Sequence, residues 1–313
     1  MNKNNLVSRC NGIYFGEGPR WHENKLWFSD MHGDKVFTLD ENDNLEVVCE
    51  IKNQPSGLGW LPNGDLLIVS MLDRKILKLS NGDLSVHADL SGEVKYQCND
   101  MVVSKDGIAY VGNFGMADAR DKVKSTHLMI VFPDGSFQKG PDNLDFPNGS
   151  VISEDGKKLI IGETLGARLT SFDIDSKGLL TNRKKWANTS SQFGISLIKF
   201  LRNIGIKISE SGSAAKNFHV PDGICLDENN GIWIASPTSS AVVRFEQGGK
   251  ITDVIETPKN AYACMLGGEE GKTLFILTAN SSAPEICRKK AEGEIFSQFS
   301  AILSAFSSSP VPK

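Results

Sequence analysis

Short apolar strands alternate with turns along most of the chain, and the alternation repeats. Segments beginning at Glu17, Ser56, Asn99, Asn148, Asp222 and, more weakly, Ala263 follow one plan. Each has a short apolar strand, a turn rich in Gly, Asn and Asp, a second strand of β-branched and aromatic residues, a polar loop, and usually a third strand. The turns read PNGD, SKDG, SEDG and ENNG. Gly and Asn accept the positive φ that tight hairpins require, so these are turn signals with a mechanism. The unit recurs at roughly 40–50 residues, the period of a four-stranded propeller blade. Six units predict an all-β fold, a six-bladed β-propeller of four-stranded antiparallel blades in a single domain over residues 1–313. The segment LVSRCNGIYF is expected to close the ring by adding an outer strand to the last blade, beside GEIFSQFS. Closure of this kind covers an otherwise open sheet edge.

One stretch departs from the period. Residues 187–219 form an insertion between the fourth and fifth units, in which Phe193, Leu197, Phe200, Leu201 and Ile204 recur at helical spacing, with Lys199 and Arg202 elsewhere on the wheel. A short amphipathic helix is predicted. The insertion is expected either to pack on the blade edge or be partly disordered, or to act as a lid, because it runs directly into Asp222; few basic residues make a membrane-surface helix the remotest reading.

Composition narrows the function. The chain has 313 residues, 40% of them hydrophobic and 23% charged, which is enough apolar material for a large core. A net charge of −4 without a basic cluster argues against a nucleic-acid partner. The opening MNKNNLVSRC has no apolar stretch of the secretory type, and no uncharged run is long enough to span a bilayer, so a cytoplasmic location and no membrane partner are expected. Six scattered cysteines without a C-x-x-C pair signal neither a zinc site nor a disulfide framework. No G-x-S-x-G stretch, phosphate-binding loop or dinucleotide fingerprint is present. His22, His32, His87 and His127 stand in loop or outer-strand contexts that suit packing better than catalysis.

Candidate chemistry follows from aligning the repeats. The first position of each innermost strand reads Glu17, Ser56, Asn99, Asn148, Asp222 and about Ala263. In a propeller these positions gather near the central channel. Glu17, Asn99, Asn148 and Asp222 offer two carboxylates and two amide oxygens, hard donors that suit Ca2+, Mg2+ or Mn2+. Calcium is favoured, because a wide channel suits its larger and more flexible coordination shell. Two carboxylates gathered without a cation would leave like charges close together. A second column, Asp30, Ser70, Asn113, Glu163, Ser236 and roughly Thr278, is expected either to cap turns or to line a wall facing the substrate. Asp100 stands where several other units carry glycine, and either steadies Asn99, touches the ligand or stabilises a turn.

At these residues the sequence resembles the senescence-marker-protein/gluconolactonase/luciferin-regenerating-enzyme family, the regucalcin-like six-bladed propellers. The likeness rests on FGEGPRW (15–21), QPSGLGWLPNGDLLIVSM (54–71), CNDMVV (98–103), YVGNFG (110–115), FPNG (146–149), PDGICLD (221–227) and ACMLGG (263–268), and so spans nearly the whole chain. It implies a divalent metal, usually Ca2+ with Zn2+, Mg2+ or Mn2+ also serving, held by Glu17, Asn148 and Asp222. Asn99 falls on a position near the metal or the substrate. The implied activity is hydrolysis of a small-molecule lactone. Chemistry at the aligned positions makes Asp222 the candidate general base, and Asn99, Asp100, Asn113 and Glu163 are the candidate substrate contacts. An arylesterase or phosphotriesterase on the same site, and a calcium-binding propeller without catalysis, are the competing expectations. Animal members carry an arginine two residues before the matching Asn, where this chain has Gln97.

Overall fold

The computed structural model describes residues 5–117, 124–203 and 217–299. Six four-stranded antiparallel sheets make up the fold, each a blade whose strands follow one another outward from a central axis. The innermost strands of blades 1 to 6 are Gly16–His22, Pro55–Trp60, Cys98–Val103, Pro147–Ile152, Ile224–Leu226 and Asn260–Gly267. The sixth sheet takes its outermost strand, Val7–Ile13, from the other end of the chain, where it pairs with Gly293–Phe299. The ring is therefore closed as the sequence predicts.

The turns behave as their residues require. Gly64, Gly107 and Gly156 have φ of 90°, 83° and 71°, and Asn230 has 60°, at the same place in blades 2 to 5. In blade 1 the hairpin turns through Glu23 and Asn24, both at positive φ. Beyond each turn, the second strand buries one or both faces. Leu26 and Phe28 in blade 1 and Leu67, Ile68 and Val69 in blade 2 are fully buried, since both faces of a blade are covered by its neighbours. The core is thus distributed between blades, with Trp233, Tyr110, Phe28, Phe172 and Phe245 as its largest fully buried side chains.

A register break recurs at the axial end of five innermost strands, between Glu17 and Arg20, Pro55 and Leu58, Cys98 and Met101, Pro147 and Ser150, and Ala261 and Ala263. A bulge of this kind re-aims the side chains beside it. It also corrects the sixth unit. Asn260 pairs with Ala279 as Gly16 pairs with Asp30, so the axial position in blade 6 is Ala261 and its outward partner Ala279, each displaced from the predicted Ala263 and Thr278. Tyr262 takes the place that glycine holds in blades 1, 2, 4 and 5, which removes the signal that aligned those units.

The insertion contains a helix, Gln192–Asn203, as its periodicity predicts. Ile195 is buried against Ala167 and Val220, while Phe193 and Phe200 are 81% and 59% exposed. Ile204, the side chains of Leu197, Lys199, Leu201 and Arg202, and the closing segment 300–313 lie outside the described residues. No helix among the described residues is long and apolar enough to cross a membrane. All six cysteines are free thiols.

Candidate functional site

Close packing of the innermost strands brings the axial side chains together. A methyl group on Gly57 would stand 2.2 Å from Met101 N, and one on Gly149 would stand 2.5 Å from Ile224 N, so these glycines let neighbouring strands touch backbone to backbone. Gly149 N donates to Asp222 O at 3.1 Å, and Gly223 N donates to Tyr262 O at 2.8 Å. The residue before each of these glycines therefore stands at the axis beside the residue from the next blade.

Asn148 and Asp222 meet directly, 74 residues apart in sequence, with Asn148 Nδ2 donating to Asp222 Oδ1 at 2.5 Å. The same amide nitrogen contacts Thr164 Oγ1 at 3.2 Å, and that hydroxyl donates to Pro221 O at 2.7 Å. Thr164, which the sequence reading passes over, thus ties the end of blade 4's second strand to the turn that presents Asp222. Glu17 is buried, with Oε2 accepting Gly18 N at 3.2 Å. Burial pushes its carboxyl well above the usual carboxylate range, and the nearby charges of Asp222 and Asp100 push it further. Glu17 and Asp222 consequently belong to one electrostatic unit although 205 positions separate them. Asn99 is buried between them in ring order, its Nδ2 donating to Pro147 O at 3.4 Å.

Two carboxylates and two amides are the donor types of a hard divalent cation. Among the described residues no group of three or more His, Cys, Asp or Glu could hold an ion, so a cation here would depend on the amide oxygens of Asn99 and Asn148 beside the carboxylates. Ser56 Oγ, at the axial position of blade 2, is buried and has no hydrogen-bond partner among the described residues. Buried hydroxyls are seldom left in that state, and this one belongs to the residue that matches Glu17, Asn99, Asn148 and Asp222 in its blade.

The second column serves the blades. Asp30 accepts Tyr14 N, Phe15 N and Gly33 N at 3.0, 2.8 and 3.2 Å. Ser70 donates to Asp73, and Asn113 is bonded to His127 O and Thr126 Oγ1, both at 2.6 Å. Glu163, fully buried, accepts Arg168 through two bonds at 2.8 and 2.6 Å, Asp145 N at 2.8 Å and Arg183 at 3.3 Å, and also bonds Thr170. The partners of Glu163 lie on the outer strands of blade 4 and the loop before it, and those of Asn113 on the segment that leads into the third strand of blade 3. Asp100 is at the axis but is held by Arg20 and by Met101 N. Burial pushes its carboxyl up, while Arg20 opposes that shift.

The insertion joins the cluster at its root. Thr189 Oγ1 and Ser190 Oγ both donate to His219 O at 2.8 Å, which closes the neck of the insertion three residues before Asp222. His219 Nδ1 lies 2.9 Å from Ser239 Oγ, fastening the same segment to blade 5. Gln97 at the rim donates to Ala117 O at 3.2 Å.

Comparison with known proteins agrees with this architecture. The family model described as the SMP-30/Gluconolactonase/LRE-like region matches residues 15–280. Regucalcin of Danio rerio is 24% identical over 84% of this chain and 82% of its own length. The gluconolactonase of Zymomonas mobilis is 24% identical over 86% and 77% of the two chains. Among solved structures, a calcium-binding regucalcin from Agrobacterium tumefaciens superposes with a TM-score of 0.72 at 17% identity, covering 95% of this chain and 93% of that one.

Proposed function

The chain belongs to the SMP-30/gluconolactonase/LRE-like family, and on that premise we propose that it is a divalent-metal-dependent hydrolase that opens a small lactone. The observation that carries the reading is the convergence of Asn148 on Asp222, with Glu17 sensing the Asp222 charge, at the axis of the propeller. Glu17, Asn99, Asn148 and Asp222 would hold the ion, and their oxygen chemistry favours Ca2+ over softer metals. Relatives described as gluconolactonase and as calcium-binding support the same assignment. When bound, the cation supplies Lewis-acid polarisation of the lactone carbonyl.

The remaining work falls to side chains of this protein. Asp222 takes a proton from the water whose oxygen attacks the carbonyl carbon. The ring carbon–oxygen bond then breaks, and Asp222 returns the proton to the departing alkoxide, giving a hydroxy acid and an unchanged carboxylate. Asn148 orients Asp222 by donating to Oδ1, and Thr164 holds the Asn148 amide in that direction. Burial of Glu17 and Asn99 keeps bulk water from competing for the cluster.

The test is a panel of small aldonolactones, with aryl esters and phosphotriesters beside them, assayed with chelator-treated protein reloaded with Ca2+, Mg2+, Mn2+ or Zn2+. Lactone turnover that returns only on reloading is the expected result. Cation uptake without turnover of any class would make this a binding propeller. Preference for aryl esters would move the activity to that class.

A further inference from the structure

Arg20 is a charged side chain beside the candidate ligands that takes no part in the proposed reaction. It lies three residues after Glu17 on the innermost strand of blade 1, passes the innermost strand of blade 2, and reaches blade 3. There its Nη2 donates to Asp100 Oδ1 at 3.0 Å and to Met101 O, while Nη1 donates to Pro19 O at 2.7 Å. Gly57 makes the crossing possible, because a methyl group there would stand 2.8 Å from Asp100 Oδ1. Arg20 and Asp100 side chains are 15% and 5% exposed, so the pair is shielded from water and weakly screened by salt. The pair connects the strand that carries Glu17 to the strand that carries Asn99.

The pair also bears on the charge of the site. Asp222 and Asp100 push the Glu17 carboxyl up and Arg20 pulls it down, so the pair lies within electrostatic reach of that side chain. We propose that Arg20 is a positioning residue that neutralises Asp100 and ties it to blade 1, so that the Asp100 charge is not added to the donors beside it. A lone surface ion pair would contribute little, but a buried pair next to a cation site sets the local field. The inference rests on the cation reading above, and it concerns only which residues set the charge of that site.

The experiment is calorimetric titration of Ca2+ into the chelator-treated full chain, for the wild type, Arg20→Gln, Asp100→Asn, the double variant and Arg20→Lys, each checked by thermal melting. Arg20→Gln leaves the Asp100 charge without its partner and should tighten Ca2+ binding by about tenfold or more, while Asp100→Asn should weaken it by a similar factor. The double variant restores the charge balance and should lie within about threefold of the wild type, as should Arg20→Lys, which keeps the charge even if the neutral variant folds poorly. Single variants that both weaken binding, with a double variant no better than either, would overturn the inference and leave Arg20 a structural tie. A wild-type chain that takes up no Ca2+ would overturn the cation reading together with it.

Discussion

Replacing Asp222 with Asn separates two roles that the geometry assigns to one side chain. The substitution keeps size and shape, and the carboxamide oxygen can still accept the 2.5 Å bond from Asn148 Nδ2. A charge-assisted bond becomes a neutral one, roughly half as strong, which costs about 1–1.5 kcal/mol at that contact. Against this, Glu17 loses a like charge that pushes its carboxyl upward, so the cation-free protein should melt no lower than the wild type. As a ligand the amide oxygen still serves, and Ca2+ affinity should fall by about 10–100-fold. As a base it does not serve at all. Loss of a positioned general base costs about 10²–10⁴ in turnover, or roughly 3–5.5 kcal/mol of barrier. The assay is therefore lactone turnover at saturating Ca2+, read beside calorimetric affinity and a thermal melt of the chelated protein. A turnover number near wild type at saturating Ca2+ would refute the base assignment. A melting temperature that falls by many degrees would refute the electrostatic argument, since it would show that the Asp222 charge stabilises the axis.

Other substitutions test the supports of the site. Thr164→Val removes the donor to Pro221 O and a partner of Asn148, and should cost about 1–3 kcal/mol in denaturant unfolding with a weaker Ca2+ affinity; unchanged values for both would mean that Thr164 does not steady the Asp222 turn. Gly57→Ala drives a methyl group to 2.2 Å from a backbone nitrogen that side-chain rotation cannot move, and should destabilise by about 3 kcal/mol or more in the same measurement, whereas a neutral effect would refute the tight contact of blades 2 and 3. Burial holds the His219 pKa below its ordinary value. The unfolded chain then binds the proton more readily, so stability is full above about pH 6.5 and is lost as pH falls through that value toward the folded pKa. His219→Asn, which keeps a donor for Ser239, should flatten the melting temperature between pH 7 and 5, and an unchanged slope would assign the loss to another group.

The fold was legible because its punctuation is local. Each Gly or Asn turn lies within a few residues of the strands that it joins, so the turns at Gly64, Gly107, Gly156 and Asn230 announce the blades without reference to distant parts of the chain. The axial positions were legible for a related reason, since Glu17, Ser56, Asn148 and Asp222 are each followed by a glycine that the strand contacts demand. The sixth blade was misaligned by two residues where Tyr262 replaces that glycine and a bulge follows. The second column was ambiguous for a different reason. A polar residue at a strand end can face the axis or the neighbouring strands, and Glu163 is decided by Arg168, Thr170 and Arg183, none of which its own segment predicts. Arg20 is harder still, because its partner lies 80 residues away and only the ring brings them together. The helix could be read from its period, but the burial of Ile195 against Ala167 and Val220 could not.

The central claim is that Glu17, Asn99, Asn148 and Asp222 share one divalent cation at the axis, and the most direct measurement is a crystal structure of the chelated and Mn2+-reloaded protein with anomalous diffraction at the manganese edge. The account predicts a single axial peak with oxygen atoms of all four residues at about 2.1–2.6 Å. A peak elsewhere, or an axial peak ligated by neither Glu17 nor Asp222, would contradict it.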